Sequence, residues 1–421
     1  MKSNRRRLFL VASLTVVTFL TAITVRSLAG VSNWLQDGPM ASSSGDGVSS
    51  RGNLGRTGVF GYEPLALTGT TLQSEKLFEM ERERVFLSTL QETRMSDGSY
   101  VTSPGFTYRQ SHGFYFSEPI VTNNTAYFTL FIGDSYLYAI NASTGALTWV
   151  IKRPKGRFSE PAVAGDKLFV GADKGLFYAI DLKTQKELWR NQVPDLSFVT
   201  ASPSVKDGVV YFGRNNGVFY ALNAQTGATV WTFDTMAIRF LSEPAIDKKK
   251  IYCASGTTIF ALDTKTGKTE WTAAPGKIVY YLAASNGILY VIDGEGMIHS
   301  LDTQTGKPTS NSQKYGKSAF VFAISGNTMY LRGWKSHDLI AVDVDTTKTK
   351  WKFDGPRCGL PAVVGNQILT TCDDGKLYGL DATTGKKVWE RGKFKPHLSS
   401  PTIGNGAIYF VSDDGRLHVV R

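Results

Sequence analysis

The sequence predicts an all-β fold, an eight-bladed β-propeller of four-stranded antiparallel blades, and three observations carry that expectation. The first is a recurring Trp: Trp149, Trp189, Trp231, Trp271, then Ser310 in the place of a Trp, Trp351 and Trp389, at intervals of 40, 42, 40, 39, 41 and 38. A period near 40 marks a repeat architecture. The second is the string that precedes each Trp, ALNAQTGATVW at 221–231, ALDTKTGKTEW at 261–271 and GLDATTGKKVW at 379–389. The third is strand content. The unit 159–189 breaks into PAVA, KLFVGA, LFYAID and KELW, separated by Gly-Asp, Asp-Lys-Gly and a Thr-rich turn, and four strands in such a unit make a propeller blade. Composition agrees, with 42% hydrophobic and 20% charged residues and 42 Gly, as suits a turn-rich globular chain.

In chain order, the first element is a leader. MKSNRRR is a positive n-region, LFLVASLTVVTFLTAITV is an uncharged run of 18 residues, and Ser27 and Ala29 have the spacing of a small-residue cleavage site. The run fits both a cleaved signal peptide and an uncleaved anchor helix. Arg6-Arg7-Leu8-Phe9-Leu10 also resembles the core of a twin-arginine export signal. Either way 1–29 delivers the rest outside the cytoplasm. It also holds five of the basic residues behind the net charge of +11; the remainder carries 42 basic and 36 acidic residues, a net of +6 without a basic stripe. No nucleic-acid partner is expected. Residues 30–70 are Gly/Ser-rich and read as a tether. The propeller occupies 71–421. Within it 83–115 is an insertion three times longer than other connections and rich in aromatics, which reads as a contact loop.

The repeated string reads as structural. The Gly of Thr-Gly (Gly145, Gly227, Gly267, Gly306, Gly385) supplies the positive φ of a tight connection. The preceding Asn141, Asn223, Asp263, Asp302 or Asp381 bonds turn amides. The Trp of the outer strand anchors one blade on its neighbour. Gln185 and Thr347 stand where Gly is expected, and Ser310 replaces Trp. The outer strand of repeat five is therefore expected to be the weakest, since burying a Trp rather than a Ser is worth on the order of 3 kcal/mol. The remainder 399–421 holds three strands and no Trp-bearing fourth. An open edge there would invite unwanted pairing. The segment QSEKLFEMER at 73–82 reads as the missing strand, closing the ring at eight blades.

On these strings the chain resembles the pyrroloquinoline-quinone (PQQ)-like propeller repeat family, found in quinoprotein dehydrogenases and in BamB-like assembly factors. RGNLGRTG at 51–58 is similar to a segment that often precedes such propellers. The resemblance specifies fold far better than function.

Candidate function lies at one mouth of the channel. Glu118, Glu160 and Glu243 begin inner strands within Ser-Glu-Pro, where other repeats have Ser202, Leu360 or Ser400, and Arg157, Arg239, Arg357 and His397 stand just upstream. Such a ring could hold a polar ligand, or be a rim pairing Glu160 with Arg157 and Glu243 with Arg239. Cys358 and Cys372 flank a hairpin turn near Gly365-Asn366 and read equally as a disulfide or as two small buried hydrophobes. The five His show no metal spacing. The quinoprotein alcohol dehydrogenases are marked by a vicinal Cys pair, which this sequence lacks. The expectation is a non-catalytic, monomeric propeller without cofactor, a scaffold for envelope or outer-membrane proteins, touching the membrane only through its N-terminal segment. A BamB-like role is the specific form, although the lipid-anchor Cys is missing. The alternative is a dehydrogenase-like quinoprotein binding PQQ with calcium.

Overall fold

The computed structural model describes residues 115–421, apart from 132–134, 154–156, 193–196, 200–201, 236–241, 248, 310–312, 315–318, 334–337, 347, 396–397, 413–415 and 421, and, N-terminal to these, only strands at 48–49, 75–76, 93–94 and 100–101. The leader helix expected within 1–29 lies outside the described residues.

The described strands form eight blades of antiparallel sheet. Blade 3 shows the pattern: Ser204–Lys206 innermost, then Val209–Gly213, Val218–Asn223 and the outer strand Thr229–Asp234. Blades 1 and 2 precede it, ending in the outer strands Leu147–Arg153 and Glu187–Gln192. Blades 4 to 7 follow, ending in Thr269–Ala273, Gln313–Lys314, Thr349–Phe353 and Lys387–Arg391. Blade 8 takes three strands from the C-terminus, Thr402–Gly404, Ala407–Ser412 and Arg416–Val420, and its fourth from Glu75–Lys76, which pairs with Leu417 and Arg416. The ring is closed from 73–82, as the sequence predicts. The tether and the contact loop lie largely outside the described residues. Within them Val48–Ser49 pairs with Val163 and Ala162 of the inner strand of blade 2, and Thr93–Arg94 pairs with Tyr100–Val101.

Burial explains the sequence pattern. Second strands are covered on both faces by neighbouring blades, so Lys250–Ser255 and Ala407–Ser412 are buried along their whole length. Outer strands have one dry face, and in Thr229–Asp234 only Trp231 is buried. The turn before each outer strand is built from one side chain. Asp263 Oδ1 accepts the amides of Lys265 at 3.1 Å and Thr266 at 2.8 Å, and Gly267 then takes φ +68°.

The Trp docks on the following blade. Trp189, Trp231, Trp271 and Trp351 donate their indole N–H to the backbone carbonyls of Ala224, Thr264, Thr303 and Ala382 at 3.2, 3.0, 3.0 and 2.9 Å. Each ring also lies on the Thr-Gly glycine of that blade, so close that a Cβ on Gly227, Gly267, Gly306 or Gly385 would fall 2.5–2.6 Å from it. The glycine thus has a second duty besides its φ. Gln185 shows that the φ alone does not demand glycine, since it adopts φ +62° in blade 2. Trp389 behaves differently: blade 8 offers no such turn, and its N–H donates to Gln367 of its own blade at 3.0 Å.

Candidate functional site at the channel mouth

Inner strands of neighbouring blades touch one another around the axis, and the segments entering them form one mouth of the channel. In Ser-Glu-Pro the serine has a structural task. Ser117, Ser159 and Ser242 accept, through Oγ, the amides of Thr129, Gly171 and Ala254 at 2.9, 2.9 and 3.2 Å, each twelve residues on. Ser399 does the same for Val411 in blade 8, at 2.9 Å. This pins the entry segment to the second strand in blades 1, 2, 4 and 8 and sets the level of the next residue. That level carries Glu118, Glu160, Ser202 and Glu243 in blades 1 to 4, and Ser400 in blade 8. Tyr281, Val321 and Leu360 hold it in blades 5 to 7, the first two fixed by pairing with Ile292 and Arg332. Blades 8 and 1 to 4 give the mouth a polar arc.

The polar arc is linked across blades. Ser202 Oγ lies 2.6 Å from Glu160 Oε2 and 2.8 Å from Glu243 Oε1, so one hydroxyl of blade 3 joins carboxylates of blades 2 and 4. Glu118 and Glu160 are each 7% exposed, a position a carboxylate keeps only with partners. The sequence suggests Arg157 and Arg239 as rim partners, and the structure adds Ser202 as a bridge between blades. Arg157 is exposed, with its guanidinium 4.9 Å over the Phe131 ring of blade 1. Arg357 Nε lies 3.7 Å from Asp373 Oδ2 within blade 7. Arg239 and His397 fall outside the described residues. The bridge is invisible to a reading of single repeats, since its partners lie 42 and 41 residues from Ser202.

Below Arg357, Cys358 and Cys372 are joined by a disulfide with Cα atoms 3.9 Å apart. Cys253 is free but wholly buried, its thiol pushed up by desolvation, which leaves no reactive thiolate. The Ser412 and His418 pair, 2.7 Å apart, is equally enclosed and packs His418 on Phe410 and Phe394. A groove of about 410 Å³, lined in part by Lys352, Phe353, Tyr378 and Lys387, lies between blades 6 and 7. Two of its cations are already paired, Lys352 with Asp338 and Lys387 with Glu390. Among the described residues no helix is long and apolar enough to cross a membrane.

A family model described as outer membrane protein assembly factor BamB matches residues 133–277 and 257–421. The chain belongs to this family. A BamB from Nitrosomonas eutropha is 24% identical over 144 residues, a match covering 33% of this chain and only 35% of that relative's length. Among solved structures, BamB from Moraxella catarrhalis superposes with a TM-score of 0.59 at 19% identity, covering 72% of this chain and 95% of that one. Quinohemoprotein alcohol dehydrogenase from Comamonas testosteroni gives 0.65 at 15% identity, covering 88% and 77%. At such identities the likeness is one of fold. Both branches expected from the repeat are thus represented among the proteins it resembles.

A bound PQQ with calcium would need cations for three carboxylates and several oxygen ligands for the metal. Among the described residues no three His, Cys, Asp or Glu side chains converge to hold a metal ion. Arg157 and Arg357 are directed to Phe131 and Asp373, and Ser202 engages Glu160 and Glu243.

Proposed function

We propose that this chain is a non-catalytic, exported propeller that binds proteins of the cell envelope and takes part in outer-membrane protein assembly. The observation that carries the reading is the family match, which runs through the propeller from residue 133 to 421. A mouth in which the buried Glu160 and the half-buried Glu243 are tied into a cross-blade bridge suits a binding platform better than a reaction centre. The leader-like 1–29 supports an extracytoplasmic place, with the membrane touched only there. Envelope or outer-membrane proteins are the expected partners of the single propeller, engaged through the mouth and the 83–115 segment.

Photo-crosslinkers placed at Glu118 and within 88–112 in the cell test this. Crosslinks to outer-membrane assembly proteins are expected, along with reduced outer-membrane β-barrel levels when the gene is deleted. Unchanged levels and no captured protein would overturn the reading. A PQQ-dependent dehydrogenase is the second reading, favoured by the quinohemoprotein neighbour that covers 88% of this chain. Calorimetric titration with PQQ and calcium separates the two. No heat and no dye-linked alcohol oxidation are expected, whereas stoichiometric micromolar binding would make the mouth a cofactor site.

A further inference from the structure

We infer that the seam between blades 5 and 6 is a built-in joint of the ring, the place where neighbouring blades part first under native conditions. The inference starts from the lock that joins four pairs of neighbouring blades. A Trp of one blade lies on the Thr-Gly glycine of the next and donates to the carbonyl two residues before the turn's Thr. This lock is complete at the seams 2/3, 3/4, 4/5 and 6/7, through Trp189 and Gly227, Trp231 and Gly267, Trp271 and Gly306, and Trp351 and Gly385. The Trp and the Gly therefore form one device whose halves belong to different blades.

Two departures that look unrelated in sequence fall on opposite sides of one seam. Blade 5 has Ser310 where its Trp would stand, and blade 6 has Thr347 where the receiving Gly would stand. A glycine that receives no ring has lost its steric reason to remain. Both halves of this lock are missing together.

Three features of the described residues agree. The outer strand of blade 5 is only Gln313–Lys314, against five to seven residues in blades 1 to 4, 6 and 7. Its approach pairs through Pro308, opposite Leu301, and proline brings no amide to a ladder. The residue whose carbonyl would receive an indole is Val344, where the locked seams have Ala224, Thr264, Thr303 or Ala382. The seam is not hollow. Tyr290, Ile292 and Ile298 pack against Ile324, Met329 and Val342, which holds the blades by greasy contact without the directional lock. The closing seams around blade 8 also depart from the pattern, but there the fourth strand is Glu75–Lys76, which brings neither Trp nor Thr-Gly turn. Seam 1/2 keeps its Trp149 and meets Gln185 in place of the glycine, so half of the device remains there; at 5/6 both halves are replaced inside the run of repeats.

Native-state hydrogen exchange tests this on the whole protein. Amides of Met297–Asp302 and Leu339–Asp343 are expected to exchange roughly tenfold faster or more than those of Val218–Asn223, which face locked seams. Ser310→Trp with Thr347→Gly should bring them to the locked level. Thr347→Gly alone should bring no slowing, and Ser310→Trp alone only part of it. Equal exchange at all seams in the unaltered protein would overturn the inference. So would a folded double variant that exchanges as fast as the parent. If the double variant does not fold, the comparison within the unaltered protein decides.

Discussion

Gly267 separates two requirements that a glycine can meet at once. Its φ is +68°, and a Cβ there would stand 2.6 Å from Trp231. Gly208 has φ +73° with nothing within 4 Å of an added Cβ. Gly208→Ala therefore probes backbone strain alone and is expected to cost about 1 kcal/mol. Gly267→Ala adds displacement of a buried ring and should cost roughly 3 kcal/mol or more. Urea unfolding of the two variants gives the difference directly; equal losses would remove the Trp contact from the glycine's duties. The turn carboxylates set a second expectation. Hydrogen bonds from the Thr266 and Thr305 side chains, with turn amides, hold Asp263 and Asp302 below the usual carboxylate range. The Thr346 amide and hydroxyl bring Asp343 to about 2. Lowered in the folded state, these groups stabilise the fold above the ordinary Asp value near 4. That contribution is lost as the pH falls through the folded values, toward about 2 for Asp343. Asn223 makes the same two backbone bonds at 2.9 and 3.0 Å with no titrating group. Asp263→Asn should keep the turn and shallow the loss of stability between pH 4 and 2, read from chemical unfolding across that range.

At the level of strands and blades, the sequence was most legible where one physical cause repeats. Trp spacing located the outer strands, and the Asp or Asn before Thr-Gly located the turns, because each acts within a few residues. Contacts between blades were legible only as a need. The sequence asked for an anchor at every interface but did not show that its seat is the next blade's glycine. The Ser202 bridge stayed hidden for the same reason, being set by the neighbourhood of three blades. The disulfide was one of two readings of a hairpin, and the structure forms it between strands that already bridge at Cys358 and Cys372. With its two Cys fourteen positions apart, it should contribute about 3 kcal/mol in the chain-entropy account. Replacing both Cys by Ser is expected to lower stability by about that amount and to speed amide exchange first around 357–364. An unchanged unfolding midpoint would mean that packing alone holds the inner edge of blade 7.

For the whole molecule, the decisive feature is that blade 8 is assembled from both ends of the chain. Removing 71–82 leaves Arg416–Val420 with an open edge, and aggregation through that edge is the expected result. A lowered Tm should accompany it, about 2–4 °C for each kcal/mol lost. Light scattering and a thermal melt of the truncated protein read both effects, and a truncated chain that melts as the parent does would assign closure elsewhere. The same pairing has a consequence in time. Glu75 meets Leu417, so the two strands of that ladder are roughly 340 residues apart and joining them carries a loop-closure cost of about 5 kcal/mol. Blades 1 to 7 can be completed as the chain emerges, but the circle cannot shut until Arg416–Val420 has arrived. Until then the nascent chain is an arc with two raw edges, and the arrival of Arg416–Val420 is the step that makes it safe.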